Sequence, residues 1–237
     1  MCGLAGILVR RGQELPAVEV LRRMVAVLRH RGPDEYGLYR DDAVGLAHAR
    51  LSIIDLRGGT QPMHNEDGSV WLVFNGEIFN YIELREELES LGHRFYTQSD
   101  TEVVIHAFEQ YGEGAWERFN GQFALALWDR RVRRLWLVRD PLGILPLYFA
   151  HGADCLVFGS EVKALFASGY VAAEFDGKGL TEVFFRWAVP APDTVFRGVR
   201  SVPPGTAVCF NDRLRQSEQV YWRPSFAERP EYQSLSA

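Results

Sequence analysis

Met1-Cys2-Gly3-Leu4-Ala5-Gly6-Ile7 places a cysteine directly after the initiator methionine. The side chain of Cys2 is small, so we expect the ordinary processing peptidase to remove Met1 and expose a free α-amine on Cys2. An α-amine has a pKa of about 7.7–8.0 and a thiol one of about 8.5, so the amine could take the thiol proton, directly or through one water. Cys2 would then supply both a nucleophile and a base. The alternative is that Cys2 is a small apolar residue that opens a buried strand.

The composition is typical of a globular protein: 237 residues, 47% hydrophobic and 24% charged. The net charge is −5, and the Lys and Arg residues are scattered, which argues against nucleic acid or an anionic membrane as a partner. The chain has no apolar run of membrane-spanning length and no secretory signal pattern, so we expect a cytoplasmic protein with a small-molecule ligand.

Its three cysteines, Cys2, Cys155 and Cys209, lack the paired spacing of a disulfide framework or a CxxC metal site. The last two lie in apolar runs and are expected in the core. The six histidines show no ligand spacing, so no metal site is predicted.

The first half of the chain alternates between extended and helical patterns. Residues 3–10 are predicted to form a strand, residues 16–29 an amphipathic helix, and residues 29–34 a loop that a Gly-Pro pair fixes. The arginines of that loop could face solvent or frame an anionic pocket. Residues 44–54 are predicted to be extended. Within them Arg50 precedes apolar residues, and it could be an exposed residue of an edge strand or a functional one.

Asn75-Gly76 separates two β-rich runs and is the strongest short signal for a two-residue hairpin turn. Two helices are predicted to follow, each opening on a capping box, with Asn80 and Glu83 in the first and Ser99 and Glu102 in the second. An acidic residue such as Asp100 in a first helical turn is favoured by the helix dipole whatever its function.

The second half contains short β-rich segments that suggest an antiparallel meander, at 123–129, 134–139, 147–150 and 156–158. Helices are predicted at 161–168 and 179–185, and residues 205–210 and 218–222 are predicted to form a late hairpin. The polar composition after Trp222 predicts that the last dozen residues are loose.

Eight blocks of sequence, in this order, resemble the class II glutamine amidotransferase domain of glutamine-hydrolysing asparagine synthetases from residue 1 to about residue 221. They are MCGLAGI at 1–7, RHRGPD at 29–34, LAHARLSIID at 46–55, QPM at 61–63, VFNGEIFNYIELREEL at 73–88, SDTEVV at 99–104, FALALWD at 123–129 and FGSEVKAL at 158–165. The resemblance implies an α+β fold, the N-terminal nucleophile hydrolase αββα sandwich, with two mainly antiparallel sheets between helical layers. We expect the glutaminase domain to span residues 1–200, and residues 201–237 to form a C-terminal strand and connector towards a synthetase domain.

The resemblance also implies roles for individual residues. Cys2 would attack the side-chain amide of glutamine, and the Asn75 side chain and the Gly76 backbone N–H would form the oxyanion hole. Arg50 would bind the substrate α-carboxylate, because its planar fork can engage both oxygens. Asp100 and Glu77 would bind the α-ammonium group. The wall beside the substrate would be formed by Leu51, Ile53 and Ile54.

The chain departs from the family pattern in two respects. The family commonly has D-R-x-G-x-K-P-L-Y where residues 140–148 read DPLGILPLY, so Pro141 and Leu145 replace an Arg and a Lys. We expect neither position to belong to the glutamine pocket, so the doubt falls on coupling to a partner domain and on the ammonia acceptor. The chain also lacks an SGGxDS pyrophosphate loop and a Walker motif. We therefore expect no cofactor here, and expect ATP and Mg²⁺ only in a synthetase domain.

L-Glutamine is the expected substrate, and a synthetase domain, in cis or as a separate subunit, is the expected partner. A homodimer is also compatible with the sequence. One alternative is a non-catalytic docking or regulatory domain that keeps the fold, and another is a glutaminase that serves an acceptor other than aspartate. A third is a different N-terminal nucleophile enzyme, such as a peptidase or acyl transferase. The residues that read both charged ends of glutamine argue against this last possibility, because such substrates lack one or both free ends.

Overall fold

The computed structural model describes residues 1–56 and 58–226, and its architecture is two six-stranded antiparallel sheets with helices on their outer faces. The first sheet has the order β10-β8-β9-β1-β3-β2 and contains β1 (Gly3–Val9), β2 (Glu35–Arg40), β3 (Val44–Arg50), β8 (Tyr148–His151), β9 (Cys155–Gly159) and β10 (Val199–Ser201). The second has the order β12-β11-β7-β6-β5-β4 and contains β4 (Met63–His64), β5 (Val70–Ile78), β6 (Gly121–Asp129), β7 (Arg134–Arg139), β11 (Thr206–Asn211) and β12 (Gln216–Val220).

Apolar residues on both faces of the central strands explain the layering. In β6, Phe123, Leu125 and Leu127 pack towards helices, whereas Ala124 and its neighbours on the opposite face pack against the first sheet. Successive side chains of a strand point to opposite faces, so a continuous apolar run fills two cores at once. Helices α2 (Tyr81–Ser90) and α3 (Asp100–Tyr111) cover the second sheet, and helices α1 (Val18–Ala26) and α4 (Val162–Ala167) cover the first. The layer order is therefore αββα, as predicted.

Strand β1 lies inside the first sheet, between β3 and β9. Gly3 pairs with Ala49 of β3, and Ala5 pairs with Gly159 of β9, so every residue of the strand is buried. The predicted strand at residues 3–10 is confirmed. Because both edges of β1 are hydrogen-bonded, the N-terminus is held in place rather than frayed.

The predicted hairpin at Asn75-Gly76 is wrong, because both residues lie inside the continuous strand β5. They pair with Ala124 and Phe123 of β6. Gly76 has φ +152°, and a Cβ there would lie 2.1 Å from the carbonyl oxygen of Gln122. Glycine is required here by the close approach of the neighbouring strand, and not by a turn.

The two capping boxes have different outcomes. Ser99 accepts a hydrogen bond from Thr101 N and caps α3 as predicted, although the Glu102 carboxylate binds the segment before the helix instead of the cap. Asn80 makes no capping hydrogen bond; its side chain donates to Arg118 O and accepts from Asn120 N. Helix α2 begins at the predicted place, but the side chain of its N-cap residue, Asn80, binds a loop instead of the helix.

The second half of the chain divides between the two sheets, so the predicted meander is wrong. Strands β6 and β7 belong to the second sheet, whereas β8 and β9 belong to the first. The helix predictions at 161–168 and 179–185 are confirmed by α4 and by α5 (Gly177–Arg186). The late hairpin is confirmed as β11 and β12, which join the second sheet beside β7. A cut at residue 200 would remove these strands from the sheet, and the domain boundary stays a prediction.

Several further elements were not predicted, namely β2, β4, β10 and the 3₁₀ segment Gly112–Arg118. Residues 44–54 were predicted to be extended, and β3 covers them as far as Arg50. Cys155 and Cys209 are buried and unpaired, as expected. Within the described ranges, no helix is long and apolar enough to cross a membrane. The prediction of a loose C-terminus falls mainly on residues 227–237, which lie outside the described residues.

Candidate active site

All nine residues that the sequence analysis assigned to the site line one cavity between the N-terminus and the second sheet. They come from four separate parts of the chain: Cys2, Arg50, Leu51, Ile53, Ile54, Asn75, Gly76, Glu77 and Asp100. Cys2 directly precedes strand β1, Arg50 is the last residue of β3, and the Asn75-Gly76 pair lies in β5. Asp100 is the first residue of α3. The fold thus brings together side chains that are up to a hundred residues apart.

The thiol of Cys2 lies against the backbone of Leu51. Leu51 N donates to Cys2 Sγ at 3.4 Å, and Cys2 Sγ lies 3.6 Å from Leu51 O. The carbonyl oxygen of Cys2 accepts a hydrogen bond from Arg31 Nε at 2.9 Å, and Arg31 in turn pairs with Glu161 at 3.0 Å. Arg31 therefore holds the peptide that carries the thiol. This role is neither of the two expected for the arginines of the loop at 29–34, because the Arg31 side chain is buried and does not line the cavity.

Burial raises the pKa of the Cys2 thiol, although the hydrogen bond with Leu51 opposes the shift. Only a small fraction of such a thiol is ionised near neutral pH, and the thiolate is the reactive form. Attack by this sulfur therefore needs a base close by. The α-amine of Cys2 would meet that need once it is free.

Asn75 contributes a buried amide that has no partner. Its side chain is 1% exposed, and among the described residues neither Nδ2 nor Oδ1 has a hydrogen-bond partner. A buried polar group left without a partner costs about 1–3 kcal/mol. Since the amide faces the cavity that also holds the Cys2 thiol, a ligand carbonyl oxygen bound there could accept from Nδ2.

Asp100 is a buried carboxylate, 3% exposed, that accepts hydrogen bonds from Ile78 N at 3.0 Å and Ser99 Oγ at 3.4 Å. Burial raises its pKa, these hydrogen bonds oppose the shift, and the charge of Glu77 adds to it. Within residues 1–56 and 58–226, no Lys, Arg or His pairs with Asp100 at salt-bridge distance. A cationic group of a ligand would be attracted to this position.

Arg50 is 5% exposed and is the buried cation of the cavity. Its guanidinium donates to Glu35 Oε2 at 3.2 Å and to Asp55 O at 2.6 Å. A guanidinium has five N–H donors, so it retains capacity for a further anionic partner. The alternative of an exposed arginine on an edge strand is wrong, because β2 continues the sheet beyond β3 and the side chain is buried.

Sequence reasoning missed several residues that line the cavity, including Gln61, Phe74, Ser99, Thr101 and Gln122. Gln61 is the most informative, since its Oε1 accepts from Phe74 N at 2.6 Å and its Nε2 lies 3.5 Å from Thr101 Oγ1. It ties the strand that carries Asn75 to the helix that carries Asp100. The QPM block at 61–63 was the available signal, but nothing in it specified the contacts.

Comparison with known proteins assigns the chain to a family. Residues 1–222 match the family described as the glutamine amidotransferase domain. This chain belongs to that family. "Asparagine synthetase [glutamine-hydrolyzing] 1" of Bacillus subtilis (strain 168) is 40% identical over 228 residues, covering 95% of this chain and 36% of that protein. A "Putative asparagine synthetase [glutamine-hydrolyzing]" of Mycobacterium tuberculosis is 37% identical over 252 residues, covering 97% of this chain and 38% of that protein. The chain thus spans little more than a third of these relatives.

Solved structures support the fold. A glutamine phosphoribosylpyrophosphate amidotransferase from B. subtilis superposes with a TM-score of 0.69 at 20% identity, covering 94% of this chain and 50% of the other. At 20% sequence identity, this structural similarity supports the fold and nothing more. The predicted N-terminal nucleophile hydrolase fold is confirmed.

The departure from the family pattern at residues 140–148 reaches the cavity, contrary to the sequence analysis. Leu145 is 4% exposed and lines the cavity together with Ile144. The loop is held by the buried Asp140 carboxylate, which accepts from the backbone N–H groups of Ile144 and Leu145 at 2.9 and 3.0 Å. The expectation that position 145 lies outside the pocket is therefore wrong, whereas Pro141 is not among the lining residues. The apolar side chain of Leu145 therefore forms part of the cavity wall.

Proposed function

We propose that this glutamine amidotransferase domain hydrolyses L-glutamine to L-glutamate and ammonia, with Cys2 as the nucleophile after removal of Met1. The observation that carries the proposal is the unpartnered, buried amide of Asn75 in the same cavity as the Cys2 thiol. A catalytic oxyanion site needs donors whose hydrogen bonds are completed by the reacting oxygen. The Asn75 side chain and the Gly76 N–H are the donors that we assign to this task.

The proposed reaction proceeds through a covalent intermediate. The α-amine of Cys2 accepts the thiol proton, and the sulfur attacks the side-chain carbonyl carbon of glutamine to give a tetrahedral oxyanion. Collapse of this species breaks the C–N bond, and the nitrogen leaves as ammonia after receiving the proton from the α-amine. Water then attacks the resulting thioester, with the α-amine again accepting a proton, and releases glutamate while the thiol is restored.

Charge complementarity supports glutamine as the substrate. We assign the α-carboxylate to Arg50, whose guanidinium can bind both oxygens, and the α-ammonium to Asp100, with Glu77 beside it. Leu51, Ile53 and Ile54 form the wall. A site that reads both charged ends accepts a free amino acid and disfavours peptides, in which one end or both are blocked.

The burial of Asn75 also favours an active site over a docking or regulatory domain. An unpartnered amide lowers the stability of the free protein and brings no benefit unless a ligand uses it. A cavity without a catalytic role could hold an apolar residue at this position at lower cost.

We propose that the ammonia passes to an ATP-dependent amidation domain, in cis or as a separate subunit, where ATP and Mg²⁺ would bind. Two observations support such a partner. The relatives are named asparagine synthetases and are nearly three times as long as the matched region. The aromatic side chains of Phe184, Phe185 and Trp187 are each more than 80% exposed, which gives helix α5 and the residue after it an apolar surface suited to a protein contact. A cytoplasmic location and a homodimer stay predictions.

The test is incubation of the purified chain with glutamine, in the absence of ATP, and measurement of glutamate and ammonia. We expect turnover that Cys2→Ala abolishes and that Cys209→Ala, a change at a buried thiol outside the cavity, preserves. We expect no asparagine when aspartate, Mg-ATP and ammonium are supplied. Turnover that survives Cys2→Ala would contradict the assignment of the nucleophile.

A further inference from the structure

His93, His106 and Glu109 form a cluster outside the candidate active site. His106 and Glu109 lie three residues apart on one face of α3, and His93 follows the end of α2. His106 Nδ1 lies 3.1 Å from Glu109 Oε2, and His93 Nδ1 lies 4.0 Å from the same oxygen. One candidate ligand atom from each of the three residues lies within 4.8 Å of those of the other two. None of the three residues lines the cavity that holds Cys2.

Each of the three side chains is held by a second partner through its other polar atom. His93 Nε2 lies 3.0 Å from Gln110 Oε1, and His106 Nε2 lies 3.4 Å from Glu102 Oε1. The other oxygen of Glu109, Oε1, accepts a hydrogen bond from Asn65 Nδ2 at 2.7 Å. These contacts leave His93 Nδ1 and His106 Nδ1 as the ring nitrogens that lie next to Glu109 Oε2. Metal-binding histidines and carboxylates are typically oriented by outer partners of this kind.

The contact with Gln110 determines which nitrogen of a neutral His93 carries the hydrogen. When His93 Nε2 donates to the Gln110 oxygen, its Nδ1 has a lone pair and no hydrogen. That lone pair then faces the Glu109 carboxylate at 4.0 Å. Two acceptors that face each other at this distance repel, and either a cation between them or a proton on His93 Nδ1 removes the repulsion.

The spacing suits a small divalent cation. Glu109 Oε2 lies 3.1 Å from His106 Nδ1 and 4.0 Å from His93 Nδ1, whereas Zn–N and Zn–O bonds of about 2.0–2.2 Å place tetrahedral ligand atoms about 3.3–3.6 Å apart. Movements of a few tenths of an ångström would close the difference. Burial disfavours the charged form of His106, but its hydrogen bonds with Glu102 and Glu109 raise its pKa to about 9, so Zn²⁺ must displace the proton on His106 Nδ1. Both imidazoles are then neutral, and the carboxylates of Glu102 and Glu109 balance the charge of one Zn²⁺.

We propose that His93, His106 and Glu109 bind one Zn²⁺ ion through Nδ1, Nδ1 and Oε2, with the fourth position open to water. Imidazole ligands select zinc and similar transition metals over Mg²⁺ and Ca²⁺. The partial exposure of the His93 and Glu109 side chains, 16% and 18%, leaves a route for the ion, whereas His106 is fully buried. The sequence analysis predicted no metal site, because the spacing of these residues shows no recognised ligand pattern.

The ion would tie α3 to the segment that follows α2. Helix α3 carries Asp100 at its first position, so the site would stabilise a helix that shapes the cavity without contacting the substrate. We therefore assign it a structural role. Binding to the folded chain should raise its melting temperature in proportion to affinity and free zinc.

The test uses the whole chain in a Cys2→Ser background, so that the thiol of the cavity cannot bind the metal. After treatment with a chelator, Zn²⁺ is titrated by calorimetry, and Co²⁺ is titrated by visible absorption, which reports the ligand types and geometry without any change to the cluster. We expect one ion per chain with a nitrogen and oxygen spectrum. Gln110→Ala should weaken binding by about 10–100-fold, as loss of an outer partner does, and His93→Ala should weaken it more. His151→Ala, at a histidine on β8, is the matched control and should bind as the background does.

Three results would overturn the proposal. The first is the absence of saturable binding, which would mean that a proton on His106 alone fills the space. The second is unchanged affinity in His93→Ala. The third is a thiolate charge-transfer band with Co²⁺, which would place the metal on Cys155 or Cys209.

Discussion

Replacement of Asn75 by leucine should raise stability and abolish most of the activity at the same time. Leucine branches at the same atom as asparagine and has no polar atoms. In the free protein it removes a buried amide without partners, which costs about 1–3 kcal/mol, and adds apolar contacts. We therefore expect Tm to rise by at least about 2 °C. Because the same amide is assigned to the developing oxyanion, kcat should fall by about 100–1000-fold while KM for glutamine changes little.

The matched control is Asn65→Leu. Asn65 is also 1% exposed, but its amide is fully engaged with Ser69, Val70 and Glu109. Its replacement leaves these groups without partners and should lower the free energy of unfolding by several kcal/mol, on the order of 1–3 per unpaired group. Thermal melts and steady-state assays with saturating glutamine measure both variants. If Asn75→Leu destabilises the protein as Asn65→Leu does, the amide is not unpartnered. If it keeps a normal kcat, the oxyanion assignment is wrong.

Three further predictions concern the N-terminus, the substrate and pH. Active protein should start at Cys2 by intact mass, and a glutamine-analogue diazoketone should label Cys2 alone; active protein with Met1 fully retained would contradict this. Arg50→Ala should chiefly raise KM, because the guanidinium binds ground and transition states alike, and an effect on kcat alone would remove that role. Burial lowers the pKa of His48 to about 4. Neutral His48 therefore contributes fully to the free energy of unfolding above pH 6.5, and this contribution is lost as the pH falls. Between pH 6.5 and 5 the loss should be about 2 kcal/mol, and it should be missing from His48→Gln in chemical unfolding; an equal loss in that variant would assign it to other groups.

The helices and strands that the sequence predicted well are those that a short stretch of neighbouring residues determines. Helix α3 begins where Ser99 caps it, and β1 is a short apolar run that any sheet would bury. Asn75-Gly76 shows the limit, because the local pattern fits a hairpin while the true partner is β6, more than forty residues further on. Hydrogen-bond partners at that separation are not encoded in a short window.

The candidate site shows the same division. The residues carried over from the family resemblance line one cavity. This was predictable because proteins that share these blocks of sequence share the fold that brings the blocks together. Leu145 was placed outside the pocket, since nothing in the sequence indicates that the Asp140 side chain turns the loop inwards. His93 and His106 belong to different segments, so their convergence on Glu109 follows only from the packing of α3 against the end of α2.

The central position of β1 has a consequence for the order of events on the ribosome. β1 ends at Val9, but its neighbour β9 begins at Cys155. At about 5–20 residues per second, roughly 7–30 s of synthesis separate the two strands. Throughout that interval one edge of β1 has no partner, and the sheet around it cannot close. Met1 is still 61% exposed once the sheet has closed, so access to it does not depend on this step, whereas the strand that follows Cys2 is paired on both edges only when most of the chain has been made.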